Sequence, residues 1–265
     1  MLPTAGCSIV ETGTLQDTFD PTAGSQAFVF YQFVEPKNPS YGYHIRRRLI
    51  THSPFPVPHC QMSFSAQDIK AARLHLQKSD PVMKKLLKQV GPFTLKTRRD
   101  RFAALVKSIL GQQISTAAAR TIEQRLKDAT APDKLSAERL SQFSVEQYRE
   151  IGISRQKAGY LLDLSEKVND GSLELKKLGR LSDEEVTAAL VQVKGIGQWT
   201  AQMFLMFSLG RMDVLPVDDL GIRKAVAKSY DLPELPNAAE VTEIAQPWRP
   251  YASVASWYLW RSLEC

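Results

Sequence analysis

The sequence predicts an all-α protein, because from Ser65 onward amphipathic helical patterns follow one another with only short loops between them. Helix-capping residues recur at the starts of these patterns, as in Asp80-Pro81. Turn-forming pairs such as Gly91-Pro92 end them. Strand-like alternation is almost absent from this part of the chain.

Each predicted helix rests on an apolar face that repeats at helical spacing. In the third pattern the buried face consists of Phe102, Leu105, Val106, Ile109 and Leu110. The predicted helices cover residues 65–77, 80–90, 100–110, 115–126, 136–142, 144–151, 154–169, 182–192, 198–209, 218–229, 237–246 and 250–263.

Residues 1–61 have a different composition and are interpreted as a Pro- and aromatic-rich N-terminal extension that is poorly ordered. The run at 27–34 has strand-like residues but no identifiable partner strand. Met62 lies just before the first good helix, so an alternative hypothesis is that translation starts there. The helical domain is then expected at 62–265.

The charge distribution favours an acidic partner for the helical domain. Residues 1–61 carry four basic and four acidic side chains, so the whole formal charge of +6 falls on 62–265. Positive charge of this kind suits nucleic acid. The basic cluster comprises Lys84, Lys85, Lys88, Lys96, Arg98 and Arg99, and a solvated helix face explains it equally well.

Composition excludes several other classes. Three separated cysteines give no disulfide, zinc or iron–sulfur pattern, and the four histidines lack metal-ligand spacing. No secretory signal or apolar run long enough for a bilayer is present in the sequence. We therefore expect a cytoplasmic protein without a cofactor or a membrane partner.

The most informative segment joins two predicted helices through a Gly195-Ile196-Gly197 turn. Two glycines allow a sharp turn and leave amide groups free at the start of the next helix. Such amides and the helix dipole can hold a DNA phosphate. A simple helix-turn-helix corner, with Ile196 in the core, is the alternative for this segment alone.

One helix later, Pro216-Val217-Asp218-Asp219 precedes another helical pattern. Taken alone, Asp218 is most simply a helix N-cap, and the adjacent acids complement the helix dipole. Hairpin, helix, Pro-x-Asp and helix together resemble the signature of the helix-hairpin-helix DNA glycosylase superfamily.

The resemblance extends over about residues 65–263 and is closest to 3-methyladenine DNA glycosylases of type II. It includes the segments 105–119, 152–158, 190–201 and 248–261. It implies a two-lobed helical fold with the active-site cleft between the lobes. The implied activity is hydrolytic excision of alkylated purines from double-stranded DNA in base excision repair, by a monomer.

The resemblance also assigns roles to residues. Asp218 matches the catalytic aspartate, and Asp219 is the less favoured neighbour. Trp199, Met203 and Trp260 match positions that line the pocket for the extruded base. The matched DNA-binding residues are Gln112, Gln113, Gly195, Ile196, Gly197 and Thr200, with Gln113 as the better candidate for the wedge.

Two further expectations follow from the resemblance. Backbone carbonyls of Val191, Val193 and Ile196 correspond to those that hold a monovalent cation in relatives. Trp199 stands where bifunctional relatives have their lysine nucleophile, so no strand-cleaving lyase activity is expected. A non-catalytic helix-hairpin-helix module and a glycosylase for oxidised or mismatched bases are the alternatives, and the preferred damaged base is left open.

Overall fold

A computed structural model of the chain describes residues 64–264, apart from the side chain of Thr116. The predicted extension at 1–61, its strand-like run and the hypothetical start at Met62 lie outside these residues. Residues 64–264 contain no strand, which confirms the all-α prediction.

Twelve α-helices make up most of the described part of the chain. They are α1 (Ala66–Ser79), α2 (Pro81–Val90), α3 (Arg101–Gly111), α4 (Thr116–Thr130), α5 (Ala137–Ser141), α6 (Val145–Glu150), α7 (Arg155–Asn169), α8 (Asp183–Leu190), α9 (Gln198–Phe204), α10 (Leu220–Ser229), α11 (Ala238–Ile244) and α12 (Ala252–Ser262). Short 3-10 helices occur at Leu178–Arg180 and Gln246–Trp248, and a π-helical turn at Leu205–Leu209 continues α9.

The helices begin where side-chain caps satisfy their first amides. Ser65 Oγ accepts from Asp68 N at 3.1 Å, and Asp80 Oδ1 accepts from Val82 N at 2.7 Å. These side chains supply acceptors that the first helical turn lacks. The predicted starts of α1 and α2 are therefore confirmed.

The helices enclose two hydrophobic cores. The terminal lobe, built from α1, α2, α10, α11 and α12, has its core around Leu76, Trp248 and Tyr258. The central lobe, built from α3 to α9 and the π-helical turn, has its core around Leu105 and Met206. The predicted two-lobed architecture is confirmed.

The chain crosses between the lobes twice, before α3 and after the π-helical turn. The half-buried Trp260 packs against both cores. Trp260 therefore marks the boundary between the lobes, and the residues discussed below gather around it. Within residues 64–264 no helix is long and apolar enough to cross a membrane.

Candidate active site

The second of two adjacent aspartates caps α10. The amide of Asp219 donates to Pro216 O at 3.1 Å, which closes a turn with Asp218 at its exposed corner. Asp219 Oδ1 then accepts from Ile222 N at 2.9 Å, as an N-cap does. The backbone therefore turns Asp219 inward and leaves Asp218 in solvent.

Two tryptophans hold the Asp219 carboxylate from opposite sides. Trp199 Nε1 donates to Oδ2 at 2.7 Å, and Trp260 Nε1 donates to Oδ1 at 2.9 Å. With the Ile222 amide, three N–H donors fix both oxygens. Hydrogen bonds to a carboxylate are stronger than hydrogen bonds between neutral groups. Together the three bonds hold the negative charge of Asp219 in one place.

Gly221 makes this close approach feasible. A Cβ atom at Gly221 would lie 3.0 Å from Asp219 Oδ1 and 3.1 Å from Trp260 Nε1. Both distances are shorter than ordinary van der Waals contacts. A larger residue at this position would push the indole and the carboxylate apart.

The prediction that Asp218 is the catalytic aspartate does not agree with this geometry. Its side chain is exposed and does not line the cavity, whereas Asp219 does. The predicted helix began two residues too early, at Asp218 rather than Leu220, so the N-cap was assigned to the wrong member of the pair.

Asp219 opens onto a cavity of about 330 Å³. Such a volume falls in the range of about 300–1,000 Å³ that is usual for small-molecule sites. The lining residues are Arg98, Ala104, Leu105, Lys107, Ser108, Trp199, Thr200, Met203, Phe204, Phe207, Ser208, Asp219 and Trp260. Trp199, Met203 and Trp260 therefore share one cavity, and their role in binding an extruded base stays a prediction.

The π-helical turn shapes one wall of this cavity. It places Phe207 and Ser208 on the cavity side, and the Phe207 ring centre lies 5.8 Å from that of Trp260. π-Helical turns are frequent at functional sites because they interrupt the regular side-chain rotation of a helix. The sequence predicted an uninterrupted helix at 198–209, so this wall was missed.

Two basic side chains also line the cavity. Arg98 N donates to Phe207 O at 2.8 Å, which ties the segment before α3 to the π-helical turn. Lys107 pairs with Glu123 at 3.2 Å. Sequence reasoning had left Arg98 in an unassigned basic cluster, and its place in the cavity depends on a contact over a hundred residues away.

Thr200 lies in the cavity wall rather than on the DNA-facing surface. Its side chain is 4% exposed, and it contributes to the lining together with Met203. A buried side chain cannot reach the phosphates of a duplex. Burial excludes a phosphate contact by the Thr200 side chain, so the predicted DNA contact of Thr200 would have to come from its backbone amide in the first turn of α9.

The Gly-Ile-Gly segment forms the predicted corner between α8 and α9. Gly195 has φ +79, and a Cβ there would lie 2.1 Å from Tyr160 Cδ2, so only glycine fits. Ile196 is buried in the central core. Within residues 64–264 no side chain caps α9, so the first amides of this helix lack a side-chain acceptor. Gly197 at its start is exposed.

Asp163, which lies in α7, holds the hairpin through the backbone of Lys194. Its Oδ2 accepts from Lys194 N at 2.9 Å, and its Oδ1 pairs with Lys167 Nζ at 2.8 Å. Burial by itself would raise the pKa of Asp163, but hydrogen bonds from Lys167 and from the Lys194 amide bring that pKa below its ordinary value. Sequence reasoning did not identify this residue.

The turn between α3 and α4 contains two glutamines, of which Gln113 is exposed and Gln112 is bonded to the hairpin. Gln112 is half-buried and its Nε2 donates to Gly195 O at 2.8 Å. Gln113 is exposed and has φ 57, a conformation that few residues other than glycine adopt. The neighbouring Ile114 is 37% exposed. Gln113 is therefore the more exposed of the two glutamines, and its role as the wedge stays a prediction.

The hairpin carbonyls named for a monovalent cation are backbone oxygens around the corner. Val193 O accepts from Ile196 N at 3.0 Å, and a carbonyl that accepts one hydrogen bond retains a second lone pair. Carbonyl oxygens are suitable ligands for such ions. Val193 O thus keeps a lone pair for such an ion, and binding of a monovalent cation by Val191, Val193 and Ile196 stays a prediction.

A family model matches residues 106–250 and is described as "HhH-GPD superfamily base excision DNA repair protein". The match covers more than half of the chain. It includes the hairpin, the π-helical turn and both aspartates.

Individual relatives agree with the family match. The chain is 33% identical over 196 residues to DNA-3-methyladenine glycosylase 1 of Schizosaccharomyces pombe, covering 72% of this chain and 86% of the relative. Another relative, from Bacillus subtilis, is 32% identical over 62% of this chain, and the match spans 59% of the relative's own length.

Solved structures show the same fold. One is 3-methyladenine DNA glycosylase of Schizosaccharomyces pombe in complex with abasic DNA, with a TM-score of 0.68 and 32% identity over 74% of this chain and 97% of the other. A second is DNA-3-methyladenine glycosidase from Bacillus halodurans, with a TM-score of 0.66 and 33% identity over 76% and 90% of the two chains.

Proposed function

Because the chain belongs to the HhH-GPD superfamily of base excision DNA repair proteins, we propose that it is a DNA N-glycosylase that excises alkylated purines from double-stranded DNA. The proposed catalytic group is the carboxylate of Asp219. The observation that carries this proposal is the fixed position of that carboxylate, held by Trp199, Trp260 and the Ile222 amide at the edge of the cavity.

The chemistry follows from a fixed negative charge beside an extruded nucleotide. As the bond between the base nitrogen and the sugar C1′ breaks, its electron pair leaves with the base and positive charge develops on the sugar. Asp219 stabilises that charge without moving, since three donors hold it. A water oxygen then bonds to C1′, and the proton that this water loses passes to the bulk solvent.

The cavity supplies the binding site for the base. An aromatic wall of Trp199, Phe207 and Trp260 suits a flat purine. A purine alkylated on a ring nitrogen carries positive charge, which aromatic faces attract. Such a base leaves as a neutral molecule, so the reaction requires no strong acid on the base side.

The remaining assignments concern the residues that contact DNA and the expected absence of strand-cleaving lyase activity. The hairpin amides of Gly195 and Gly197 would bind a phosphate, whereas the amide of Ile196 already donates to Val193 O. Gln113 would enter the space that the flipped nucleotide leaves. Several of the relatives carry the name DNA-3-methyladenine glycosylase, and one solved relative is in complex with abasic DNA. Because Trp199 stands in place of a lysine, we expect that no covalent adduct will form on borohydride reduction.

Two adjacent variants test the proposal. Asp219→Asn and Asp218→Asn are incubated with duplex DNA that carries a panel of alkylated bases, and the released bases are identified. Removing one group that stabilises transition-state charge costs about 10²–10³ in rate, so Asp219→Asn should lose excision to that extent. Asp218→Asn should retain the wild-type rate, since its side chain is exposed.

Binding to DNA with an abasic analogue is measured in parallel and should survive in both variants. Loss of excision in Asp218→Asn alone would overturn the assignment of Asp219. Wild-type protein that binds DNA but releases no base from any substrate would favour the non-catalytic helix-hairpin-helix module. A borohydride-trapped adduct would instead favour a glycosylase with lyase activity.

A further inference from the structure

Three side chains on one face of α7 contact two loops, which are the α3–α4 turn and the hairpin at Gly195 to Gly197. Lys157, Tyr160 and Asp163 are spaced three residues apart, so they lie along neighbouring turns of the helix. Lys157 contacts the α3–α4 turn, whereas Tyr160 and Asp163 contact the hairpin. None of these three residues lines the cavity that holds Asp219.

Lys157 binds the end of α3. Its Nζ donates to Leu110 O at 2.8 Å and to Gln112 O at 2.6 Å. These carbonyls belong to the last turn of the helix and its cap, which otherwise lack partners and carry the negative end of the helix dipole. The side chain is half-buried, and this burial lowers the pKa of Lys157 from its ordinary value.

Further along the same face, α7 holds the hairpin. The ring of Tyr160 packs against Gly195, where no side chain has room. Asp163 accepts from the amide of Lys194 at 2.9 Å. One rigid helix therefore contacts both loops.

Gln112 completes the connection between the loops. Its backbone carbonyl accepts from Lys157, and its side-chain amide donates to Gly195 O. The next residue, Gln113, has a positive φ that costs free energy unless its surroundings hold it. The contacts of Lys157 and Gln112 supply that support on the residue immediately before it.

We propose that Lys157 is a positioning residue for base extrusion, which holds the exposed Gln113 at a fixed place relative to the phosphate-binding hairpin. This inference rests on the proposed glycosylase function and on Gln113 as the residue that enters the duplex. Lys157 directs its ammonium group into the protein, so it acts through the loop rather than by contact with DNA. Opening a paired base should depend on it, whereas cleavage of an unpaired base should not.

The test compares two substrates for each variant. One carries the alkylated base in a normal pair, and the other carries the same base opposite a stable abasic analogue, where no pair has to be opened. Lys157→Met removes the charge and the donors but keeps the chain length. Lys157→Arg keeps the positive charge and the hydrogen-bond donors. Lys228→Met is the control, because it removes an exposed positive charge on α10.

We expect Lys157→Met to lose about tenfold or more in single-turnover excision of the paired base, as loss of hydrogen bonds from a charged group implies. Excision of the unpaired base should stay within about twofold. Lys157→Arg should recover most of the paired-base rate, and Lys228→Met should behave as wild type. Equal losses on both substrates, or no loss on either, would overturn the proposal.

A readout without excision separates this inference from the proposed function. The fluorescence of 2-aminopurine placed next to the lesion reports base extrusion directly, even if no base is released. Lys157→Met should reduce the extruded fraction in the paired duplex. Wild-type extrusion without base release would refute the glycosylase function alone, whereas a Lys157→Met protein with wild-type extrusion would refute the role of Lys157. A uniform loss of affinity for undamaged duplex would instead identify Lys157 as a phosphate contact.

Discussion

The indole N–H of Trp199 donates to Asp219 Oδ2 at 2.7 Å, although Trp199 is 45% exposed. An aromatic residue at the mouth of a base pocket is usually explained by stacking alone. Here the same ring also supplies a hydrogen-bond donor to the proposed catalytic carboxylate. These two roles can be separated, because phenylalanine retains an aromatic face but has no N–H group.

Trp199→Phe should therefore lower kcat more than it raises KM. Loss of a hydrogen bond to a charged group costs about 1.5–3 kcal/mol, or roughly ten- to a hundredfold in rate. Single-turnover excision measures the effect. Trp257→Phe is the control, because its ring packs in the terminal core and does not line the cavity. A change in KM alone would assign Trp199 to stacking only.

The same contact has a spectroscopic signature. The chain has four tryptophans, and two of them donate to Asp219. Asp219→Asn should shift the indole N–H resonances of Trp199 and Trp260 in a ¹H–¹⁵N correlation spectrum and leave those of Trp248 and Trp257 in place. Four unchanged resonances would show that the indoles do not bind the carboxylate in solution.

Gly221→Ala should reduce activity with little net change in stability, because the helix propensity of alanine offsets part of the cost of moving the Asp219 cap. The added Cβ would lie 3.0 Å from Asp219 Oδ1, so the carboxylate and Trp260 must shift. Misplacement of a catalytic group can cost about tenfold or more. Alanine is meanwhile the better helix former, by about 1 kcal/mol.

Gly159→Ala is the matched control for Gly221→Ala, since a Cβ at Gly159 in α7 meets nothing within 4 Å. It should raise Tm and leave excision unchanged. Thermal unfolding and excision are measured on both variants. If both retained full activity, the close packing around Asp219 would have no catalytic role.

Asp80→Ala should destabilise the terminal lobe. The buried carboxylate caps α2 and accepts from Trp248 Nε1 at 2.9 Å and from Tyr230 Oη. Burial and the nearby Asp80 charge raise the pKa of Tyr230, so its hydroxyl remains a donor. Loss of the cap and of both side-chain bonds should cost about 2–4 kcal/mol in the free energy of unfolding.

Asp100→Ala removes a comparable cap from α3, where Asp100 is exposed and accepts from Ala103 N at 2.9 Å. Asp100→Ala should lower the free energy of unfolding by about 1 kcal/mol. Urea denaturation of both variants gives the difference, which measures the contacts to Trp248 and Tyr230. Equal losses would mean that those two contacts contribute nothing.

Asp163→Asn should lower the free energy of unfolding at neutral pH but not at low pH. The folded-state pKa of Asp163 lies below its ordinary value of 3.8. Its contribution is therefore fully present above that ordinary value and is lost as the pH falls through the folded pKa. Unfolding free energies from pH 7 downward should show wild type and variant converging once the pH falls below 3.8 and through the lower folded-state pKa of Asp163. The exposed Asp128→Asn is the control, and a difference that persists at the lowest pH would contradict the ionic explanation.

The fold and the corner at Gly195 were predictable because they depend on local patterns. Helical periodicity, capping residues and a Gly-x-Gly turn act over a few residues, and the sequence displays them directly. The aspartate pair shows the limit of this approach. Both residues suit the start of a helix, and helix ends are uncertain by one or two residues, so the choice needed the turn at Pro216.

Other features depend on contacts between distant segments. Gly221 is required by an indole from α12, and Lys157 by carbonyls of α3. Neither neighbour can be identified from the residue types alone. For α7 a partial signal existed, since Lys157, Tyr160 and Asp163 share one helical face.

The order of the lobes along the chain determines when the active site is completed during synthesis. Helices α3 to α9, with the hairpin, leave the ribosome before Asp219 at the start of α10 and Trp260 in α12. Domains generally fold from the N-terminal side as they emerge. The growing chain thus gains the corner at Gly195 first and the contacts of Trp260 with Asp219 last, so that the proposed catalytic arrangement is completed at the end of synthesis.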